Sequence, residues 1–155
     1  GCFWGLELAF QRVPGIKETT VGYCQGHQPH PTYEEVCSGR TGHTEAVQVE
    51  FYPTAVSYDD LLDVLWDRID PIMRNGQGND VGTQYRTGIY YHSEDQKRRA
   101  EASLLAEQRK HKSEIATELE PIQEFYPAED YHQHYLSKGG QCSRKGDLTP
   151  IRCYG

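Results

Sequence analysis

Across residues 45–52 apolar Val47, Val49 and Phe51 alternate with Ala46, Gln48 and Glu50, the two-residue period of a strand with one buried face, and Pro53 closes the run. Elsewhere the spacing is helical, and this mixture of periods is what most constrains the fold. Phe3, Leu6, Phe10 and Val13 line one face of a helix that Pro14-Gly15 stops. Leu61, Leu62, Leu65 and Ile69 line a second, which Ser57 caps with Asp60 and Pro71 ends. Further strands are predicted over residues 16–23, 87–92 and 115–119, and a helical turn over 33–37. Ser93 and Gln96 read as a capping box for a charged surface helix reaching about residue 112, and a short helix is predicted over 129–136. Residues 24–31 and 73–83 read as loops from their Gly, Pro, Asn and polar content.

The order helix, strand, strand, helix, strand, helix, strand, helix predicts an α+β fold: a ferredoxin-like two-layer sandwich whose mixed, mostly antiparallel sheet carries its helices on one side. Such a core needs one more strand ahead of residue 1. The sequence has a single Met, at position 73, and none at its start, so truncation at the N-terminus is expected. Residues 1–155 are expected to form one catalytic domain, with a core over 1–136 and a long irregular C-terminal tail over 137–155.

Sixteen basic against 23 acidic residues give a net charge of −7 without a basic run, which argues against nucleic-acid and anionic-membrane partners. No apolar stretch approaches a membrane span and the start does not read as a signal peptide, so a soluble protein is expected. Five cysteines, an odd number, fit reduced or redox-active thiols better than a secreted disulfide framework. A reducing compartment is expected.

Chemistry is sought first at Gly1-Cys2-Phe3-Trp4-Gly5. Cys2 stands at a helix start, where free N–H groups and the positive end of the macrodipole favour a thiolate. Cys142 and Cys153, in a flexible tail, could capture a sulfenic acid formed on another cysteine. Glu45 opens a strand after a Gly-rich turn and is the candidate general acid, with Tyr33 able to donate beside it and His43 a possible base. The loop carrying Asp80 and Tyr85 is a weaker polar cluster. Cys24, His27, His30, Cys37 and His43 have tolerable metal spacing but lack paired Cys-x2-Cys arms, and Tyr131-His132-Gln133-His134 reads as a helix flank. No metal is expected at either place.

With GCFWG, PTYEEVCSGRTGHTEAVQVEF, QGNDVGTQYRTGIYY and FYPAEDYHQHYL in that order, the chain resembles the A-type peptide methionine sulfoxide reductases across residues 1–136. The resemblance implies a thiol reductase for the S epimer of methionine sulfoxide, free or in proteins, with an α+β fold and no cofactor. It also implies the roles. Cys2 is the nucleophile, Glu45 the acid that protonates the oxygen, and Tyr33 and Tyr85 the phenols that hydrogen-bond it. Asp80 is a polar residue orienting the site through water, and Phe3 and Trp4 the aromatic wall for the substrate methyl. The product is a sulfenic acid, captured by a tail thiol and reduced by a thioredoxin-type partner, in a monomer of the cytosol or plastid. The ending QCSRKGDLTPIRCYG resembles plant-type members. It favours Cys153 as the resolving thiol, with Cys142 as the alternative resolver or shuttle, and leaves Cys24 and Cys37 non-catalytic. Two rival readings are an acyl transferase or hydrolase built on Cys2, His43 and Glu45, and a zinc-stabilised module over residues 24–43. Neither explains the ordered blocks.

Overall fold

The computed structural model describes residues 1–153. In chain order it contains α1 (Phe3–Gln11), β1 (Ile16–Cys24), α2 (Tyr33–Cys37), β2 (Thr44–Phe51), α3 (Tyr58–Arg68), β3 (Gly76–Gln77), β4 (Asp80–Val81), β5 (Gly88–Tyr91), α4 (Glu94–Gln108), β6 (Glu118–Pro121), β7 (Tyr126–Pro127) and α5 (Tyr135–Lys138), with 3-10 turns at Thr83–Tyr85 and Asp130–His132. The architecture is the expected α+β mixture. β1 pairs antiparallel with β2 along its length, setting Tyr23 opposite Glu45, and its other edge takes β7. β5 and β6 form a separate parallel pair. Between β2 and β5 lies an apolar cavity of about 190 Å³ lined by Val47, Val49, Leu62, Leu65 and Ile89.

Three apolar clusters hold these parts together. Phe3 of α1 packs with Val21 and Tyr23 of β1, Val36 of α2 and Ala128. Phe10 packs with Ile16, Val56 and Leu61. Leu62, Leu65 and Trp66 of α3 meet Ile89 and Ala100, and the Trp66 indole donates to Ser103 Oγ at 2.7 Å, fixing α3 on α4. Helix α1 is therefore covered on more than its predicted face, burying Glu7 and Leu8 as well. Glu7 is satisfied by the Thr19 hydroxyl at 2.9 Å and the His134 N–H at 2.8 Å. Gly22 in β1 is required by close approach, since a β-carbon there would lie 2.5 Å from the Phe125 ring.

Several boundaries differ from the sequence reading. The predicted loop over 73–83 contains the β3–β4 hairpin, tied to the end of α3 by the Gln77 amide, which bonds the Asp70 N–H and C=O at 2.7 and 2.8 Å. Helix α4 stops at Gln108, whose side chain turns the chain by bonding Ser113 O and the Ile115 N–H. Its N-cap Ser93 accepts from the Gln96 N–H, but the Gln96 side chain bonds the N–H of His92, so the capping box is incomplete. The strand predicted over 115–119 begins only at Glu118, because Ala116 bonds Pro71 O instead of a strand neighbour.

The helix predicted over 129–136 is broken. Gln133 turns its amide onto β1, accepting from the Val21 N–H at 2.9 Å and donating to Val21 O at 2.8 Å, and His134 takes a left-handed φ of 56°. Gln133 thus acts as a short piece of strand. Gln133→Ala leaves the Val21 N–H unpaired, while Val21 O keeps the Ala128 N–H at 2.9 Å, and is expected to cost about 1–3 kcal/mol, read from a shift in urea midpoint at constant slope.

Beyond α5, the described residues 139–153 hold no helix or strand, but side chains fix them more firmly than a flexible tail would require. Arg12, at the end of α1, donates to Cys142 O at 2.9 Å and Thr149 O at 2.6 Å and pairs with Asp147 at 3.7 Å. Gln141 and Arg152 bond each other in both directions at 2.6 and 2.9 Å. The last two positions of the expected tail, 154 and 155, lie outside the described residues. Among the described residues no helix is long and apolar enough to cross a membrane.

Candidate active site

Cys2 is the N-cap of α1, in extended conformation, so the free N–H groups of the first helical turn point toward it. The Trp4 N–H favours the charged form of the Cys2 sulfur, and the Phe3 N–H donates to Glu45 Oε1 at 3.2 Å. One helix start thus addresses both the thiol and the carboxyl. Glu45, at the second position of β2, is 6% exposed, and burial pushes its pKa up to about 7 against the opposing Phe3 hydrogen bond. For Cys2, burial and then the charge of Glu45 push the thiol up to about 12, outweighing the pull of the Trp4 N–H. The expected resting thiolate is therefore corrected: desolvation beats the helix terminus, and the sulfur rests as a thiol.

Tyr85 closes the 3-10 turn Thr83–Tyr85, which is fastened to β2 by the Thr44 hydroxyl bonding Gln84 O and Arg86 O at 3.2 and 3.0 Å. Tyr33 opens α2 behind the capping box of Thr32 and Glu35, and its N–H donates to Glu129 Oε2 at 2.9 Å. Glu129 Oε1 accepts from the buried Tyr23 hydroxyl, also at 2.9 Å. Burial raises both phenols at the site, with the charge of Glu45 adding at each. Cys37 adds to the rise at Tyr33. The charge of Asp80, from β4, acts on Cys2, Glu45 and Tyr85, so the hairpin brings this acid to the same place.

The aromatic side has a member that the sequence reading missed. His132 is 1% exposed, and its ring lies 5.3 Å from Phe3, 5.7 Å from Trp4, 4.4 Å from Tyr33 and 4.1 Å from Tyr131. The Trp4 indole donates to His132 Nδ1 at 3.1 Å, which puts the proton of the neutral ring on Nε2, an atom without a partner among the described residues. Burial lowers the pKa of this histidine, which favours that neutral form. Trp4 stacks on Tyr135 at 3.9 Å. The signal was the spacing of Tyr131, His132 and Tyr135 beyond Phe125 and Tyr126, read as the flank of a regular helix.

His43 is not free to serve Cys2. Its Nδ1 accepts from the Gly26 N–H at 3.1 Å and its Nε2 bonds Gln28 O at 2.7 Å. Among the described residues no group of three or more His, Cys, Asp and Glu side chains could hold a metal ion. The two tail cysteines separate. Cys153 Sγ lies 2.9 Å from Arg68 Nη2, over Gly5, in the first turn of the helix that Cys2 caps. Cys142 is exposed by Arg12, about 10 Å along α1 from Gly5 at 1.5 Å per residue.

The sequence pattern of the family described as peptide methionine sulfoxide reductase matches residues 1–151. The chain belongs to the peptide methionine sulfoxide reductase family. It is 54% identical over its whole length to peptide methionine sulfoxide reductase A2-1 of Oryza sativa subsp. japonica, spanning 83% of that protein. Identity to the chloroplastic A4 reductase of the same plant is 55%, over 61% of that protein's length. Reduced Mxr1 of Saccharomyces cerevisiae superposes with a TM-score of 0.84 at 38% identity, over 92% of this chain and 83% of that one. Mxr1 in complex with Trx2 gives 0.60 at 25%, over 87% and 78%. For a methionine sulfoxide reductase the arrangement is chemically apt. A sulfoxide sets a strongly polar, neutral S–O group beside an apolar methyl, and here carboxyl and phenol donors share a site with the faces of Phe3 and Trp4.

Proposed function

We propose that this chain reduces the S epimer of methionine sulfoxide, free or in proteins, with Cys2 as nucleophile and Glu45 as general acid. The observation that carries the reading is the shared helix start, where a buried, proton-holding Glu45 accepts from Phe3 beside the Cys2 thiol. Tyr33 and Tyr85 hydrogen-bond the sulfoxide oxygen, and Asp80 orients the polar side through water. Phe3 and Trp4 receive the methyl. Cys2 sulfur attacks the sulfoxide sulfur while Glu45 gives its proton to the oxygen and takes the one the thiol gives up. The hydroxyl then passes from the methionine sulfur to the Cys2 sulfur as the S–S bond between them breaks, so methionine leaves as the thioether, Cys2 is left as a sulfenic acid, and the carboxyl regains its starting charge.

Cys153 then condenses with the sulfenic acid to a disulfide, which a thioredoxin-type dithiol reduces. Its seat on the first turn of α1, against the remote position of Cys142, supports this order. Complex formation between yeast Mxr1 and Trx2 supports the class of reductant. The cycle needs a reducing compartment, cytosol or plastid, and the chloroplastic relatives support the second as one setting. A rival Cys-His-acid hydrolase is disfavoured by the engagement of both His43 nitrogens.

The test is reaction of the reduced protein with a peptide carrying racemic methionine sulfoxide, followed by mass mapping of the disulfide. With the enzyme in excess over the peptide, half the substrate is expected to be consumed, with a Cys2–Cys153 bond in wild type and in Cys142→Ser. With substrate in excess and a thioredoxin-type dithiol present, wild type is expected to turn over continuously and Cys153→Ser to release one methionine per enzyme and then stall unless a small thiol is added. Sustained thioredoxin-driven turnover in Cys153→Ser would transfer the resolving role to Cys142.

A further inference from the structure

Arg68 ends α3, at a helix C-terminus where a cation is ordinarily favourable. Its guanidinium is half-buried, and among the described residues it makes no salt bridge; its hydrogen bond goes to the Cys153 sulfur at 2.9 Å. The contact is built into α1. A β-carbon at Gly5 would clash with Arg68 Nη2 and lie 2.9 Å from Cys153 Sγ, so glycine at this position leaves a seat on the helix for the two groups together. The same first turn carries Cys2 three residues earlier.

We infer that Arg68 is the positioning residue of the resolving step, its planar fork holding the Cys153 sulfur in the Gly5 seat, within reach of Cys2. This rests on the proposal that Cys153 captures the Cys2 sulfenic acid. In that step the Cys153 sulfur attacks the Cys2 sulfur, an S–S bond forms and the Cys2 S–O bond breaks. The hydroxyl leaves with the Cys153 thiol proton as water, so that Cys153 is oxidised and Cys2 reduced. Arg68 touches neither substrate nor Cys2. What it supplies is the place of a thiol at the end of an irregular segment, where a displacement of about 1 Å can cost a hundred-fold in rate. A lysine keeps the charge at the helix end but lacks the fork, so the two cations are not equivalent here.

The experiment is a single turnover with a peptide methionine S-sulfoxide, measuring methionine release and Cys2–Cys153 disulfide formation in the same samples. In Arg68→Gln the ratio of the disulfide rate to the release rate is expected to fall about ten-fold or more, and Arg68→Lys to recover only part of it. Gly5→Ala, which keeps Arg68 but fills the seat and favours the helix, is expected to lower the same ratio. A role confined to the helix end would instead be rescued fully by lysine and leave Gly5→Ala unaffected, and that result overturns the inference. So does an unchanged ratio in Arg68→Gln. If the wild type itself forms no Cys2–Cys153 disulfide, it is the resolving assignment that fails.

Discussion

Cys2→Ser is expected to lower the rate of sulfoxide reduction at least about a thousand-fold, the scale seen when a nucleophile that works as part of a unit is removed. A serine hydroxyl at the N-cap keeps the helix capped and the site folded, so thermal melting should be nearly unchanged. The loss is chemical. A hydroxyl in this buried position is a far weaker nucleophile than sulfur and cannot form a sulfenic acid, so methionine release and disulfide formation vanish together. The measurement is methionine released per enzyme in the first turnover, and release above about one hundredth of the wild-type rate would move the nucleophile to another thiol.

Glu45→Gln carries the second largest effect, a loss of about 10² to 10⁴-fold in methionine release, with binding of the sulfoxide largely kept by the phenols. The pH dependence fixes the sign. Burial lifts Glu45 to about 7 and Cys2 to about 12, so below neutral pH the resting site holds both protons. Release should be level below about pH 6 and fall as pH rises through about 7, where Glu45 gives up its proton, whereas Glu45→Gln should be flat there. A wild-type rate that climbs through the same range would mean that the thiolate limits the step, against this mechanism. Stability follows the same proton. A carboxyl whose folded pKa lies above its unfolded value binds protons more tightly when folded. Wild type should therefore lose stability from about pH 4.5 to 7 relative to Glu45→Gln, on the order of 3 kcal/mol, readable from paired denaturation curves.

Much of the frame was legible because it rests on local rules. The alternation of Val47, Val49 and Phe51 gave β2, and Ser57 with Asp60 gave the start of α3. What the sequence concealed depends on long-range partners. Gln133 breaks a predicted helix because β1 offers it a peptide to bind, 112 residues away in sequence. His132 acquires its place only once α1 and α2 bring Trp4 and Tyr33 against it. The chemistry of Cys2 was legible in its position and misjudged in its charge, since a helix terminus can be read from residues but the burial opposing it cannot. Arg68 carried no signal at all. A cation at the end of a helix is ordinary until the chain's last stretch folds back onto it.

The two-way bond between Gln141 and Arg152 closes residues 142–151 into a loop pinched at its base. Most of that loop faces solvent, with Leu148 94% exposed. Length added or removed among its exposed residues can be absorbed outward, at a closure cost of only about 0.6 kcal/mol per doubling. Because the pinch meets the chain one residue before Cys153, the thiol's address is insulated from the spacing between the two tail cysteines. Between the Arg12 contacts at Cys142, Asp147 and Thr149, the exposed positions of that segment can change while the residue after the pinch stays in place.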